Sequence, residues 1–325
     1  MRTPILFLIF NRPDTTKLVL DRIREIKPSY LYIAADGPRI DKEGEVEKCQ
    51  SVRKLVLEGI DWECEVKINF REQNLGCGKA VSQAITWFFE NVEEGIILED
   101  DCLPHISFFS YCENLLSYYR NDRDILMISG NNFLNGKVNI PWDYYFSSFV
   151  HIWGWATWRR AWKDYDLKMS NLDTIKLRKQ LDSMFGSKSI TEKWLSNFSA
   201  CQNGEIDTWD YQLQYMVWSK NGLSAMPKNN LVSNIGFGPN ATHTTEDSKF
   251  SNLPSKALFL TTRPDSLTVF ELADRISVSE LFGNDNIELK SETILDRIIF
   301  DPLRSFLNRV FPKLLLYYRT LRFSR

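Results

Sequence analysis

One stretch of the chain, residues 95–104, reads GIILEDDCLP, and the rest of the sequence is interpreted outward from it. The apolar run 96–98 is typical of a buried parallel strand, because such strands are covered on both faces and need no alternation. The acids Glu99, Asp100 and Asp101 follow it. Adjacent carboxylates repel one another, so at the mouth of a buried strand they favour a compensating cation. A solvated acidic turn is the alternative interpretation.

Strand-like and helical segments alternate in the first third of the chain. The expected strands are 5–10, 30–35, 64–70 and 96–98, and the expected helices are one ended by Pro28, then 41–57 and 80–89. This alternation predicts an α/β fold with a Rossmann-like, mostly parallel central sheet flanked by helices. In helix 41–57, the spacing of three and four places Val46, Cys49, Val52 and Val56 on the inward face.

Charged side chains follow the expected strands. Arg12 follows the first strand, Asp36 the second, and Arg71 and Lys79 the third. Because the carboxyl ends of parallel strands meet at one edge of a sheet, we expect these side chains to converge there with the acidic triplet. Basic groups at that edge would bind phosphates, and Asp36 would accept hydrogen bonds from a base or ribose. Taken singly, a turn at Asp36 and a solvated Lys79 are the plainer explanations.

The composition excludes several classes of protein. The chain has 325 residues, 43% of them hydrophobic, and a formal net charge of −2, which suits one large or two modest globular domains. Near-neutral charge argues against a nucleic-acid partner. The six cysteines show no Cys-x-x-Cys spacing and indicate neither a zinc site nor a disulfide framework. The sequence has neither the features of a signal peptide nor an apolar run of roughly 18 residues, so we expect a cytoplasmic protein.

The layout resembles that of the GT-A nucleotide-sugar glycosyltransferases. Segment 98–104 and the aromatic residues after it are similar to the metal-binding segment of the N-acetylglucosaminyltransferase I group and of bacterial family-2-like surface-polysaccharide transferases. Glu-Asp-Asp stands where that superfamily has Asp-x-Asp. The resemblance implies that Arg12, Asp36 and the triplet hold the nucleotide sugar and a metal. Its last acid, Asp101, is the expected direct ligand of Mn²⁺ or Mg²⁺, ions that suit carboxylate and phosphate oxygens.

A tryptophan-rich segment in the second half resembles the acceptor-side loop of the same group. It includes Trp153, Gly154 and Trp155, and aromatic faces there would pack on sugar C–H surfaces while the glycine permits close approach. Packing in the core is an equally weighted alternative for the two tryptophans. We assign Trp158 and Trp162, which lie four residues apart, to an aromatic core under a helix.

A helix expected to begin near Asp207 carries the candidate base. Asp207 fits a helix N-cap. Asp210 would be favoured in the first turn by the helix dipole alone. In the resembling transferases this position holds the catalytic base, so we expect Asp210 to take the proton from the acceptor hydroxyl. Glu205 and Asp207 are the alternatives.

Two later segments complete the prediction. The loop 234–243 resembles the segment that completes the metal or diphosphate site in many GT-A enzymes, so His243 is a second expected metal ligand, although a lone histidine is more often a surface residue. The tail 294–325 is basic and amphipathic, typical of a helix on an anionic membrane surface or of one packed on protein. We favour the membrane, since acceptors in such systems are often lipid-linked.

Together these features predict a metal-dependent, inverting glycosyltransferase of surface-polysaccharide synthesis. It would move a sugar from a nucleotide diphosphate donor, with UDP favoured, to a hydroxyl of a glycan or lipid-linked glycan. We expect a nucleotide-sugar-binding half at 1–130, an acceptor-binding and catalytic half at 131–250 and a helical extension at 251–325, on the inner face of the cytoplasmic membrane. The alternatives are a non-catalytic carbohydrate-binding scaffold and a sugar nucleotidyltransferase. The latter normally has a Gly-rich basic loop directly after the first strand, and residues 11–14 are not one.

Overall fold

The structure, a computed structural model, describes residues 1–237 and 249–282. Its first part alternates strands and helices: β1 Ile5–Ile9, α1 Pro13–Ile26, β2 Tyr30–Ala35, α2 Glu45–Gly59, β3 Glu65–Phe70, α3 Cys77–Asn91 and β4 Glu94–Glu99. These four strands pair in parallel in the order β3-β2-β1-β4. The prediction of a mostly parallel α/β sheet flanked by helices is confirmed.

The second part continues the same sheet. Its elements are β5 Cys102–Pro104, α4 Ile106–Tyr118, β6 Ile125–Ser129, β7 Tyr144–Ser147, β8 Trp155–Trp158, α5 Arg159–Trp162, α6 Thr174–Phe185, α7 Lys188–Gln202, α8 Asp210–Ser219, β9 Leu223–Pro227, β10 Val232–Asn234 and α9 Glu271–Phe282. The eight-stranded order is β3-β2-β1-β4-β8-β6-β9-β7, with β8 antiparallel to both β4 and β6 and β7 antiparallel to β9. A separate antiparallel pair joins β10 to β5, directly after the acidic triplet.

The connection from β1 to α1 is short. Only residues 10–12 separate the two elements, because Pro13 starts the helix with a φ angle already suited to it. The helix ends where Lys27 takes a left-handed conformation with φ 44°. Val19, Leu20 and Ile23 form its buried face against the sheet.

One inward position of α2 was predicted wrongly. Val46 is 40% exposed, whereas Glu45 is buried beside the expected Cys49, Val52 and Val56. A buried carboxylate is tolerated there because it is paired. The backbone N–H of Arg39 donates to Glu45 Oε2 at 2.6 Å, and its guanidinium binds the same carboxylate.

No helix within residues 1–237 and 249–282 combines the length and the apolarity that a bilayer crossing needs. The basic tail, residues 294–325, lies outside the described residues. The proposed division at residues 130 and 250 stays a prediction.

Candidate active site

A cleft of about 320 Å³ opens at the carboxyl ends of β1, β2 and β4. This is the edge of an open α/β sheet at which ligands bind. Its floor is apolar, and its polar lining residues are Arg12, Asp36, Arg39, Arg71, Asn74, Glu99, Asp100, Asp101 and Asp207. The strand-end residues therefore converge as expected, with one exception. Lys79 is exposed in the first turn of α3 and does not line the cleft.

The acidic triplet forms one end of the cleft. Arg12 Nη1 lies 2.6 Å from Asp101 Oδ2, and both side chains are largely buried. The backbone N–H of Phe10 donates to Asp100 Oδ2 at 2.9 Å, which ties that carboxylate to the end of β1. Burial, followed by repulsion from Asp101, raises the pKa values of both Glu99 and Asp100. The positive charge of Arg12 opposes the rise at both carboxyl groups.

Helix α8 brings a fourth carboxylate to this cluster. Asp210, its first residue, is close enough to Glu99 to contribute to the raised pKa of that group. Thr208 Oγ1 donates to Asp210 Oδ1 at 2.5 Å, and the backbone N–H of Tyr211 donates to the same oxygen at 2.9 Å. These bonds fix the half-buried Asp210 near Glu99, although Asp210, like Lys79, is not among the residues that line the cleft.

Asp36 lies in another part of the cleft lining, at the end of β2. Its carboxylate accepts the backbone N–H of Leu75 at 3.0 Å and that of Gly37 at 2.9 Å. Burial raises the pKa of Asp36, and these hydrogen bonds oppose the rise. Gly37 is required where it stands, because a Cβ atom would meet the backbone of Gln73. The turn after β2 thus packs directly on the loop that precedes α3.

The N-terminus of α3 is capped from a distant part of the chain. The backbone N–H groups of Cys77 and Gly78 donate to the carboxylate of Asp207 at 2.8 and 2.9 Å. Gly76 has φ 80° and ψ 164°, and a Cβ atom on it would overlap Asp207 Oδ2. Asp207 was expected to cap its own helix, but the N-cap of α8 is Trp209. The anion-binding end of α3 is therefore already occupied by a side chain.

The structure buries two of the three residues predicted to form the acceptor wall, which is the packing alternative given for Trp155. Trp155 is 1% exposed and stacks on Trp209 with ring centroids 5.6 Å apart, so it belongs to the core. Gly154 is also buried, and a Cβ atom on it would come within 2.7 Å of the side chain of Val232. Trp153 remains half-buried and packs edge-on against Phe133 at 5.0 Å. Trp153 lies before β8, and Gly154 between the two tryptophans has φ 66°, so strand periodicity does not relate their side chains and the local sequence did not distinguish them.

The aromatic core assignment is confirmed. Trp158 and Trp162 are 1% and 4% exposed. The first lies in β8 and donates its indole N–H to the carbonyl of Leu116 at 3.2 Å, and the second ends α5 and stacks on Tyr165.

The start of the Gly-rich loop covers the triplet. The backbone N–H of Ile235 donates to the carbonyl of Asp101 at 2.8 Å. A Cβ atom on Gly236 would overlap the Asp101 and Arg12 side chains, so only glycine lets the loop lie this close to the ion pair. The other expected metal ligand, His243, lies outside the described residues.

The carboxylates of the acidic triplet are the expected donors for a divalent ion. Within residues 1–237 and 249–282 no group of three or more His, Cys, Asp or Glu side chains is arranged as a metal site. The donors of the acidic triplet are of the chemical type that hard divalent ions prefer, because they are carboxylate oxygens.

The fold defines an α/β protein with a ligand cleft at its strand ends. No protein-family model matches the chain, and no curated protein matches it either. Among solved structures it is similar to apo UDP-glucose pyrophosphorylase, with 9% identity, a TM-score of 0.37, and 72% of this chain and 93% of that chain covered. It is also similar to 4-diphosphocytidyl-2C-methyl-D-erythritol synthase from Anaerococcus prevotii, with 9% identity, a TM-score of 0.31, and coverage of 69% and 88%. A third is HddC from Yersinia pseudotuberculosis, with 10% identity, a TM-score of 0.31, and coverage of 50% and 80%. Likeness of this degree assigns no family.

Proposed function

We propose that the chain is a nucleotide-sugar-dependent glycosyltransferase. The observation that carries this proposal is the make-up of one cleft, which is lined by Asp36, Glu99 and the Arg12–Asp101 ion pair, with the carboxylate of Asp210 close to Glu99. A nucleoside needs an apolar surface and a hydrogen-bond acceptor, which the floor of the cleft and Asp36 supply. A diphosphate needs positive charge, which Arg12 and Arg71 in the lining of the cleft supply.

The basic groups of the cleft are assigned to the diphosphate. Arg12 and Arg71 both line the cleft. The positive charge of Arg71 lowers the pKa of Asp36, although burial raises that pKa overall. Lys79 is retained as a weaker candidate because it is exposed on α3. Asp101 and His243 would hold Mn²⁺ or Mg²⁺, and the bound ion would neutralise the charge of the leaving nucleotide diphosphate. Asp207 occupies the N-terminus of α3, so the phosphates depend on the side chains instead.

Asp210 is assigned as the general base. The acceptor hydroxyl oxygen forms a bond to the anomeric carbon while the bond from that carbon to the diphosphate oxygen breaks. The nucleotide diphosphate leaves with the electron pair, and Asp210 takes the hydroxyl proton. One displacement inverts the anomeric configuration. Trp153 is the remaining aromatic candidate for contact with a glycan or lipid-linked glycan acceptor.

The short connection after β1 favours transfer over nucleotidyl transfer. A sugar nucleotidyltransferase normally holds a nucleoside triphosphate in a Gly-rich basic loop at this position. Here residues 10–12 lead straight into α1, and Phe10 is tied to Asp100.

The test measures two products in parallel. UDP-, GDP- and dTDP-sugars are incubated with and without Mn²⁺, and release of the nucleoside diphosphate is followed. Separately, nucleoside triphosphates with sugar 1-phosphates are assayed for pyrophosphate. We expect Mn²⁺-dependent diphosphate release from at least one donor and no pyrophosphate. Asp101→Asn should abolish the release, whereas Asp182→Asn, on the exposed surface of α6, should not. Pyrophosphate formation would establish the nucleotidyltransferase instead, and no activity or nucleotide binding would favour the scaffold.

A second variant tests the assigned base. Asp210→Asn keeps the shape of the side chain but removes its basicity, so nucleotide affinity should be retained while transfer to an acceptor falls roughly 10²–10⁴-fold. Unchanged transfer would remove Asp210 from the mechanism.

A further inference from the structure

Two residues of the cleft lining are held together by a side chain from outside it. Arg53 lies on α2, a helix that contributes no residue to the lining of the cleft. Its Nη2 atom donates to the backbone carbonyl of Asp36 at 2.9 Å and to that of Arg71 at 2.6 Å. Both of these residues line the cleft. One guanidinium nitrogen therefore joins two residues to which the proposed function gives separate tasks.

The two carbonyls lie where a pair of strands ends. β2 and β3 run parallel and in register up to Ala35 and Phe70, and the backbone N–H of Arg71 still donates to the carbonyl of Ala35 at 3.0 Å. One residue further along, the carbonyls of Asp36 and Arg71 are joined through Arg53. Arg53 thus sets the separation of two strand ends at the edge where open α/β sheets bind their ligands.

The guanidinium of Arg53 is itself fixed in position. Its Cζ atom lies 5.1 Å from the centre of the Phe70 ring, and a cation at that distance is attracted to the face of the ring. The helix that carries it is anchored in the core, because Val52 and Val56 are fully buried. The planar guanidinium presents its donors in a rigid fork, so little freedom is left to lose when it bonds both carbonyls.

The side chains of the two joined residues are also held at their far ends. The carboxylate of Asp36, the proposed acceptor for the nucleoside, accepts the backbone N–H of Leu75 at 3.0 Å. Arg71, assigned to the diphosphate, donates from Nη2 to Gln83 Oε1 at 2.9 Å. These contacts fix the polar ends of the side chains, whereas Arg53 fixes the backbone from which both start.

We propose that Arg53 is a positioning residue of the nucleotide site, which holds Asp36 and Arg71 at the spacing that a nucleoside diphosphate requires. It contacts no substrate itself. This role rests on the proposed function, because it concerns the nucleotide part of the donor. Without Arg53 the two strand ends gain freedom that the ligand must then remove on binding, and affinity falls.

Isothermal titration with UDP, GDP and dTDP in the presence of Mn²⁺ tests this role. Arg53→Met removes the donors and keeps an unbranched apolar stem, and it should raise the dissociation constant of each nucleotide that the wild type binds by roughly tenfold or more. Lys54→Met is the matched control. It removes a positive charge from the same turn of α2, at an exposed side chain 3.8 Å from Glu58, and should leave the dissociation constant unchanged.

The uncharged nucleoside separates positioning from simple loss of charge. In ligand-observed NMR the nucleoside of the same base should also bind Arg53→Met more weakly, because Asp36 is displaced. Weakening of the diphosphate alone would overturn the positioning role, since the missing positive charge would then account for the effect.

Two further variants separate positioning from folding. Arg53→Lys keeps the charge and carries three donors on one flexible ammonium, so its affinity should lie between those of the wild type and Arg53→Met. Asp36→Asn should weaken binding by a smaller factor in the Arg53→Met background than in the wild type, because the two residues act together. Equal factors overturn the positioning role and leave the proposed function intact. So does wild-type affinity in Arg53→Met, or in Arg53→Lys where Arg53→Met does not fold. Failure of the wild type to bind any of the three nucleotides overturns both.

Discussion

The contact between Asp207 and the start of α3 leads to the sharpest stability prediction. This carboxylate accepts two backbone N–H groups from a helix that begins 130 residues earlier in the chain. In Asp207→Ala both bonds and the charge at the positive end of the helix dipole are lost. The backbone N–H groups of Cys77 and Gly78 then have only water as a hydrogen-bond acceptor in place of Asp207.

The magnitude follows from these two losses. Removing an N-cap acceptor costs about 0.5–2 kcal/mol. Removing a negative charge from the first turn costs about 0.3–1 kcal/mol. The side chain is exposed, so no buried surface adds to the sum. We expect the free energy of unfolding to fall by about 1–3 kcal/mol, which corresponds to roughly 2–4 °C in melting temperature for each kcal/mol in a domain of this size class.

Chemical denaturation measures the loss directly. Asp207→Asn keeps one acceptor oxygen without the charge, so its effect should lie between those of the wild type and Asp207→Ala. Asp173→Ala is the matched control, because Asp173 caps α6 through the N–H groups of Ile175 and Lys176 within its own loop. It should cost a similar amount of stability without changing nucleotide affinity at the cleft.

A double-mutant cycle tests the stated geometry. In Gly76→Ala the added Cβ atom overlaps the side chain of Asp207, and the alanine must adopt a φ of 80°. Both the overlap and the backbone strain destabilise the variant. In the background of Asp207→Ala the overlap disappears and the strain remains. The double variant should therefore lose about 1 kcal/mol less free energy of unfolding than the two single variants lose together. Additive losses, or an Asp207→Ala effect below about 0.5 kcal/mol, would refute the capping argument.

Three further predictions follow from the same contacts. Gly236→Ala should leave the fold intact but lower nucleotide affinity at least tenfold, because its Cβ displaces the Arg12–Asp101 pair; isothermal titration measures this, and wild-type affinity would contradict it. Burial lowers the pKa of His151 to about 4, so the buried neutral form stabilises the protein fully above pH 6.5 and this contribution is lost between pH 6.5 and 4. Compared with His151→Gln, the wild type should lose about 3 kcal/mol over that interval in urea denaturation, and parallel pH profiles would disprove it. Trp155→Ala should lower the free energy of unfolding by about 3–5 kcal/mol, since the ring is in the core; a stable variant with weaker acceptor binding would restore the surface interpretation.

The first half of the fold could be predicted because its signals are local. An apolar run such as residues 30–35 is bounded by its own turn residues, and β2 has the predicted bounds. Strand-end residues converge whenever the strands are parallel, so Arg12, Asp36 and Arg71 could be placed at one edge of the sheet from the sequence. The position of Lys79 could not be predicted in this way, because Lys79 lies in the first turn of α3 and its direction depends on how that helix packs.

The amino-acid sequence by itself determined the alternation of strands and helices over residues 5–99 and the acidic cluster at the end of β4, because each depends on neighbours within a few residues. The parallel start of the sheet was inferred from that alternation. Tertiary structure alone decided which distant groups meet. It placed Asp207 on the N-terminus of α3, Asp210 beside Glu99, and Trp155 against Trp209 in the core. Each of these contacts joins residues that are far apart in the chain, and no local pattern encodes a contact across such sequence distances.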